Sequence, residues 1–207
     1  MRIIQCVQGS EEWFAARLNK VTASHFAVVM AKGRGGTASK TRDDYLYTLV
    51  AERRNGKREP TYQSKEMQEG TEREPGAREW YEWLYNDVEQ VGFVEMTDDV
   101  GCSPDGLVGD DGLLEIKCPK PKTHYEYIDK YLRRGLIPPC YKAQVQGQIW
   151  VCERQWCDFA TYHPDGNPNI AVVRVDRDDT YISLLSAAVA TFLQDLTELE
   201  KRLEKAA

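Results

Sequence analysis

The stretch CSPDGLVGDDGLLEIKCP, residues 102–119, decides how this chain is read. Leu113 to Lys117 alternate with the period of a strand, so Glu115 and Lys117 point to one face while Leu114 and Ile116 point to the other. The intervening GLVGDDGL is turn-rich enough to form a hairpin that returns Glu115 beside Asp105. Two carboxylates on adjacent strands make a hard oxygen site suited to Mg²⁺ or Mn²⁺, with the backbone carbonyl of Ile116 in reach as a third ligand. Lys117 beside it can orient or deprotonate an attacking water, and a neighbouring metal cation favours its neutral form. Carboxylates, metal and lysine together meet the needs of phosphodiester hydrolysis. Acids and lysines are also common on exposed strands, so the same spacing reads equally as a charged hairpin face that holds no ligand.

Outward from the hairpin, helices alternate with further strands. Residues 10–19 (SEEWFAARLN) read as a short helix capped by Ser10, with acids in its first turn. A second helix is expected from Thr22 or Ser24 to about Ala31. Others follow over 41–54 and 64–86, the last interrupted near Gly70 to Pro75. GRGGTAS, 33–39, is too glycine-rich for regular structure and reads as a mobile loop. Strands are expected at 88–96, just before Ser103, and at 113–117. Helices at 122–134 and 141–152 come next, then strands at 157–163 and 170–176 around the turn PDGNPN. This is an α/β pattern, one domain over 1–207 with a central mixed β-sheet flanked by helices. Along an amphipathic helix at about 178–205, Ile182, Leu185, Val189, Phe192, Leu196, Leu199 and Leu203 recur by threes and fours. That is the spacing of a coiled-coil seam and also of a helix packed along its own domain.

Composition narrows the class. Of 207 residues, 42% are hydrophobic and 29% charged, and mean hydropathy is −0.58, which argues against a disordered chain and a membrane protein. MRIIQCVQGSEEW reaches charge too soon for a signal peptide, so the expected location is cytoplasmic. Six cysteines without a C-x-x-C pair read as scattered free thiols, the alternative being a metal or iron–sulfur site built from Cys6, Cys140, Cys152 and Cys157. The net charge is −6, yet residues 32–58 and 117–142 each carry a net +5. An acidic body with two basic stretches suits a localised polyanion track, and equally two solvated faces.

Five blocks then stand together in order: QGSEEWFAARLNKVTAS (8–24), GTEREPGAREWYE (70–82), CSPDGL (102–107), LLEIKCP (113–119) and YKAQVQGQIWV (141–151). In combination they resemble the bacteriophage lambda exonuclease branch of the PD-(D/E)xK nuclease superfamily, the YqaJ-type viral alkaline exonucleases. The resemblance implies a restriction-endonuclease-like core. Asp105 and Glu115 would be metal ligands with the Ile116 carbonyl, Lys117 the catalytic lysine, and Glu74 a helix glutamate serving the Mg²⁺ site (Mn²⁺ as substitute) directly or through water. From the residues alone, Glu74 is an ordinary acid at a helix start before Pro75. The family's acid ten residues before the motif Asp falls on Glu95, with Asp98 and Asp99 close by, and none of these is given a role.

The same resemblance implies a pocket for a 5′-terminal phosphate from Arg17, Ser24, Ser103 and Gln144. A guanidinium forks onto phosphate oxygens while hydroxyls and an amide donate, and Ser24 near a helix N-terminus would add backbone N–H groups. As isolated residues, Arg17 reads as a surface charge and Ser24 as a helix cap. Gln148 stands where many RecB-like relatives have tyrosine, so roles resting on that tyrosine lapse. The family's DNA track runs past Arg34, Lys40, Arg42 and Arg53, with Tyr45, Tyr47 and Tyr62 as stacking candidates.

The implied activity is a 5′→3′ exonuclease on double-stranded DNA ends that releases mononucleotides and leaves 3′ single-stranded tails. It would work as a homo-oligomer, a trimeric ring, with a phage-type single-strand annealing protein, in a phage or prophage setting within a bacterial host cell. The competing readings are a RecB-like endonuclease, an iron–sulfur nuclease, and a catalytically silent DNA-end-binding module.

Overall fold

The structure, a computed structural model, describes residues 1–33, 38–59 and 64–205. In chain order it contains β1 (Arg2–Ile4), α1 (Glu11–Arg17), β2 (Val21–Thr22), α2 (Phe26–Val29), α3 (Lys40–Asn55) and α4 (Lys65–Leu84). β3 (Phe93–Thr97), β4 (Val100–Cys102), β5 (Gly106–Val108), β6 (Gly112–Lys117) and α5 (Pro121–Lys130) follow, then α6 (Lys142–Val151), β7 (Trp156–Tyr162), β8 (Ile170–Asp176) and α7 (Asp179–Lys205). The α/β class holds, but the single central sheet divides into two mixed four-stranded sheets, ordered β1-β3-β4-β2 and β5-β6-β7-β8. The division falls at Ser103-Pro104. Pro104 has no N–H to give a ladder, and the Asp105 N–H turns instead to the Leu114 carbonyl at 3.1 Å.

The expected hairpin forms, with Gly106 opposite Leu114 and Val108 opposite Gly112. β6 continues into a parallel pairing with β7, Glu115 opposite Phe159. Its alternation divides the apolar residues between two cores. Leu113 joins the larger, shared by both sheets with α2, α3, α6 and α7. Leu114 and Ile116 join the smaller, under Ala77 and Tyr81 of α4. Glu115 and Lys117 therefore leave β6 on the side of Leu113, at the edge of the larger core.

Three local expectations are corrected. Val21–Thr22 is a strand paired in parallel with β4, followed by a 3₁₀ turn at Ala23–His25 and the short α2, so no helix starts at Thr22. Val21 is fully buried there, and a β-branched pair gains more from that seat than from a helical turn. The second correction is α4, which runs unbroken for 20 residues through Pro75. Pro75 and Thr71 are both exposed, so water can satisfy the carbonyl that proline leaves unbonded. Gly76, where a Cβ would lie 3.3 Å from the Tyr162 hydroxyl, lets the helix lie close on β7. Third, the strand expected at 88–96 is only Phe93–Thr97, and Glu89 merely bridges to Leu107. Of the glycine-rich segment, Lys32 and Ala38 form an antiparallel bridge, and 34–37 lie outside the described residues.

The seven-residue apolar stripe of α7 resolves as a core face. Ile182, Leu185, Val189, Phe192, Leu196 and Leu199 are buried in the larger core, with Leu203 packed against it. By length and mean hydropathy, 1.2 over 18 residues, α7 passes the test for a membrane span. The stripe residues are nevertheless buried in the protein interior, while Leu184 is exposed on the other side of the helix.

Candidate active site

The predicted metal, catalytic and phosphate-binding residues line one cavity of about 160 Å³, brought to it by several elements. Ser10 caps α1 by accepting from the Trp13 N–H at 3.2 Å, and one helical turn separates Trp13 from Arg17, so both face the cavity. Ser24 comes from the 3₁₀ turn, Glu74 from α4, Ser103 and Asp105 from the turn between sheets, Glu115 to Lys117 from β6, and Gln144 from α6. Glu74 sits mid-helix in α4 rather than at a helix start. Ser24 does not cap a long helix, so its hydroxyl is what it contributes.

The carboxylates are crowded and buried. Asp105 accepts the Ile116 N–H at 2.5 Å. Glu115, 2% exposed, accepts at Oε1 from Gln144 Nε2 and at Oε2 from Gln148 Nε2, both at 2.6 Å. Lys117 also donates to Glu115 Oε1. Burial, then the Glu115 charge, raises the Asp105 carboxyl well above the usual range. Burial raises Glu74 as well, with Glu115 adding to the shift. For Lys117, burial alone would lower the pKa, but the Glu115 and Asp105 carboxylates outweigh it and raise it. As it stands Lys117 is an ammonium, so its first contribution is positive charge.

Asp105 and Glu115 crowd their oxygen donors together, with Glu74 on the same cavity, and such donors fit a hard divalent cation. Among the described residues no three His, Cys, Asp or Glu side chains gather as a metal-binding group. A cation here would therefore draw on Asp105 and Glu115, with main-chain or water oxygens completing its shell. The four cysteines of the alternative cluster do not assemble. Cys6 is half-buried, Cys140 exposed, and Cys152 and Cys157 buried; Cys152 instead touches Cys102, Sγ to Sγ 3.4 Å.

Arg17 anchors a second, cationic half of the cavity. Its Nη1 donates to Ser103 Oγ at 3.1 Å, and its Nη2 lies 3.4 Å from the hydroxyls of Thr22 and Ser24. The guanidinium lies over the Trp13 ring at 4.3 Å, while Trp13 Nε1 donates to Ser103 Oγ at 2.8 Å and to the Gly92 carbonyl at 3.0 Å. Burial lowers the Arg17 pKa, yet guanidinium remains charged at any working pH. Among the described residues Arg17 forms no ion pair. A partly desolvated guanidinium ringed by neutral hydroxyls has donors suited to an anion. His25 borders it, with Nδ1 3.1 Å from Thr22 Oγ1 and its ring stacked on Tyr45 at 4.4 Å. Burial, then Arg17 and Arg58, lowers His25 to about 4, so it is neutral at neutral pH.

Sequence reasoning missed Trp13, Thr22, His25 and Gln148 as cavity or pocket residues. The i,i+4 relation of Trp13 to Arg17 was the one local signal available. Gln144 is in the cavity, but its amide is turned to Glu115 rather than to Arg17.

Of the proposed DNA-track residues, the described Lys40, Arg42 and Arg53 do not line this cavity. Arg42 pairs with Asp195 at 2.5 Å. Arg53 pairs with Asp99 at 2.5 Å and with Glu200 at 3.3 Å. Lys40 is exposed at the start of α3. Arg34 and Tyr62 lie outside the described residues. Tyr45 is packed between His25 and Phe192, whereas Tyr47 is exposed and lines a larger cavity of about 720 Å³ that shares Trp13 and Arg17. Glu95 does not line this cavity and pairs instead with Arg2 at 2.6 Å and Lys20 at 2.8 Å.

Comparison with known proteins places this geometry. Residues 12–155 match the model of the YqaJ-like viral recombinase domain. The chain is 40% identical to a crystal structure of an alkaline exonuclease, LHK-Exo, from Laribacter hongkongensis, with a TM-score of 0.84 over 95% of this chain and 97% of that one. LHK-Exo in complex with dAMP matches at 39% identity and a TM-score of 0.85, with the same coverage. A phage-related exonuclease from Haemophilus somnus, 14% identical over 91% of this chain and 96% of that one, shares the fold at a TM-score of 0.68. No curated protein sequence matches. With the family model matched over residues 12–155 and nearly all of a relative covered at 40% identity, the chain belongs to the YqaJ-like viral recombinase family.

Proposed function

We propose that this chain is a Mg²⁺-dependent exonuclease that digests linear double-stranded DNA from its 5′ ends, releasing mononucleotides and leaving 3′ single-stranded tails. The observation that carries this reading is adjacency. Ser103, bonded to Arg17 at 3.1 Å, is two residues from Asp105, and both halves share one cavity. An end phosphate held at Arg17 sets the next phosphodiester beside the carboxylates, which favours cutting at a fixed step from a terminus. Exonuclease activity on DNA ends is in keeping with the family, and the dAMP complex of a relative supports a mononucleotide product.

In this reading Arg17, Ser24 and Ser103 bind and orient the terminal phosphate, and Gln144 can turn an amide to it. Asp105 and Glu115, with the Ile116 carbonyl, would hold the Mg²⁺ (or Mn²⁺), and Glu74 would reach it through water. When bound, the metal supplies charge neutralisation at the scissile phosphate and lowers the pKa of water. Lys117 adds positive charge beside the same phosphate and, as an ammonium, can donate a proton to the leaving oxygen. The chain is read as one domain of a homotrimeric ring acting in the bacterial cytoplasm. Its tail product would be passed to a single-strand annealing protein of a phage or prophage recombination system.

Linear duplex labelled at either the 5′ or the 3′ end, beside a closed circle, with and without Mg²⁺, tests the reading. Metal-dependent loss of the 5′ label with the circle intact supports it. Cleavage of the circle moves the assignment to an endonuclease, and no cleavage with any divalent metal leaves a DNA-end-binding module.

A further inference from the structure

Gln148 lines the cavity but has no task in the reading above, and together with Glu115 it is the most completely enclosed polar side chain of the lining. It is 1% exposed. Its Nε2 donates to Glu115 Oε2 at 2.6 Å, and the Ser103 carbonyl lies at 3.5 Å. Its Oε1 is buried and lacks a partner. Reversing the amide would set that carbonyl oxygen against the carboxylate, so the orientation follows from charge. A buried carbonyl without a donor carries a desolvation cost that an apolar side chain of the same length would avoid.

The other two donors to Glu115 share Oε1, and both have further roles on the substrate side. Lys117 faces the scissile phosphate and Gln144 can serve the end phosphate. Gln148 alone holds Oε2, and α6 is fixed in its seat because a Cβ at Gly147 would lie 2.2 Å from the Phe26 ring.

We propose that Gln148 is a positioning residue for Glu115, its Nε2 engaging Oε2 so that Oε1 is the oxygen presented to a divalent cation. The inference rests on the metal-dependent reading above and adds a residue to it. With one carboxylate oxygen retained by an immobile amide, Glu115 acts through a single oxygen, and its direction does not depend on where Lys117 or Gln144 move during turnover. The residue stands where RecB-like relatives carry tyrosine, so this chain would fill that place with an amide.

The test uses the full chain and Gln148→Met, which keeps length and volume but removes the amide. Mn²⁺ binding is measured without DNA by titration calorimetry or by the loss of the free-ion paramagnetic signal, beside kcat and KM on 5′-phosphorylated duplex. Removal of a group that orients a metal ligand typically weakens affinity about 10–100-fold, and that fall is expected here, with kcat reduced and KM for DNA ends unchanged. Gln148→Asn, one methylene too short to reach Oε2, is expected to behave alike and serves if the Met variant does not fold by circular dichroism. Wild-type Mn²⁺ affinity in a folded variant would overturn the proposal and leave Gln148 a packing residue. Absence of Mn²⁺ binding and digestion in the unaltered protein would instead remove the reading on which it rests.

Discussion

Lys117 is held as an ammonium between two carboxylates, and this decides what its loss should do. Lys117→Ala removes the positive charge held between Glu115 and Asp105, so turnover should fall by several orders of magnitude while DNA binding with metal persists. Single-turnover rates beside a binding isotherm check this, and near-normal turnover would take Lys117 out of the mechanism. Arg17 has no anionic partner among the described residues, so Arg17→Ala should shrink the preference for 5′-phosphorylated over 5′-hydroxyl ends, read as a ratio of kcat/KM on the two substrates. His25 carries a stability prediction. Its folded pKa is about 4 against an ordinary 6.5, so between those values the unfolded chain binds the extra proton. Stability linked to neutral His25 is therefore present above pH 6.5 and lost as pH falls toward 4. His25→Gln should flatten the decline in melting temperature across that window. Asp105, Glu115 and Lys117 were legible in the sequence because strand alternation is local. Trp13 was not legible as a pocket residue, since its bond to Ser103 spans 90 positions.

Among the elements, α7 shows how far a pattern carries. Its apolar repeat was visible at once, but spacing alone could not choose between a seam for another chain and a face for its own core. The structure buries Phe192 completely, stacks Tyr45 on it at 5.4 Å, and sets Arg42 over its ring at 5.0 Å. Phe192→Ala should then cost about 3–5 kcal/mol of unfolding free energy, measurable by urea titration, whereas a face reserved for a partner would lose far less. Two misreadings have one physical source. The strand at Val21–Thr22 and the unbroken helix across Pro75 are both set by neighbours distant in sequence, β4 in one case and β6–β7 in the other. Local propensity is a weak prior against such packing.

For the whole molecule, charge and architecture must be reconciled. The net −6 chain neutralises much of its own basic sequence internally. Arg42 and Arg53 bind α7 and its surroundings, Lys120 pairs with Glu66, and Lys130 and Arg133 pair within their own segment. The central claim is narrower. An end-phosphate anchor and a carboxylate–lysine site share one cavity, so the cut falls at a fixed step from the terminus. The most direct measurement is the length of the first product released in a single turnover from a 5′-phosphorylated, 5′-labelled duplex with Mg²⁺. The account predicts labelled mononucleotide as the sole first product; labelled oligonucleotides of varied length would contradict it.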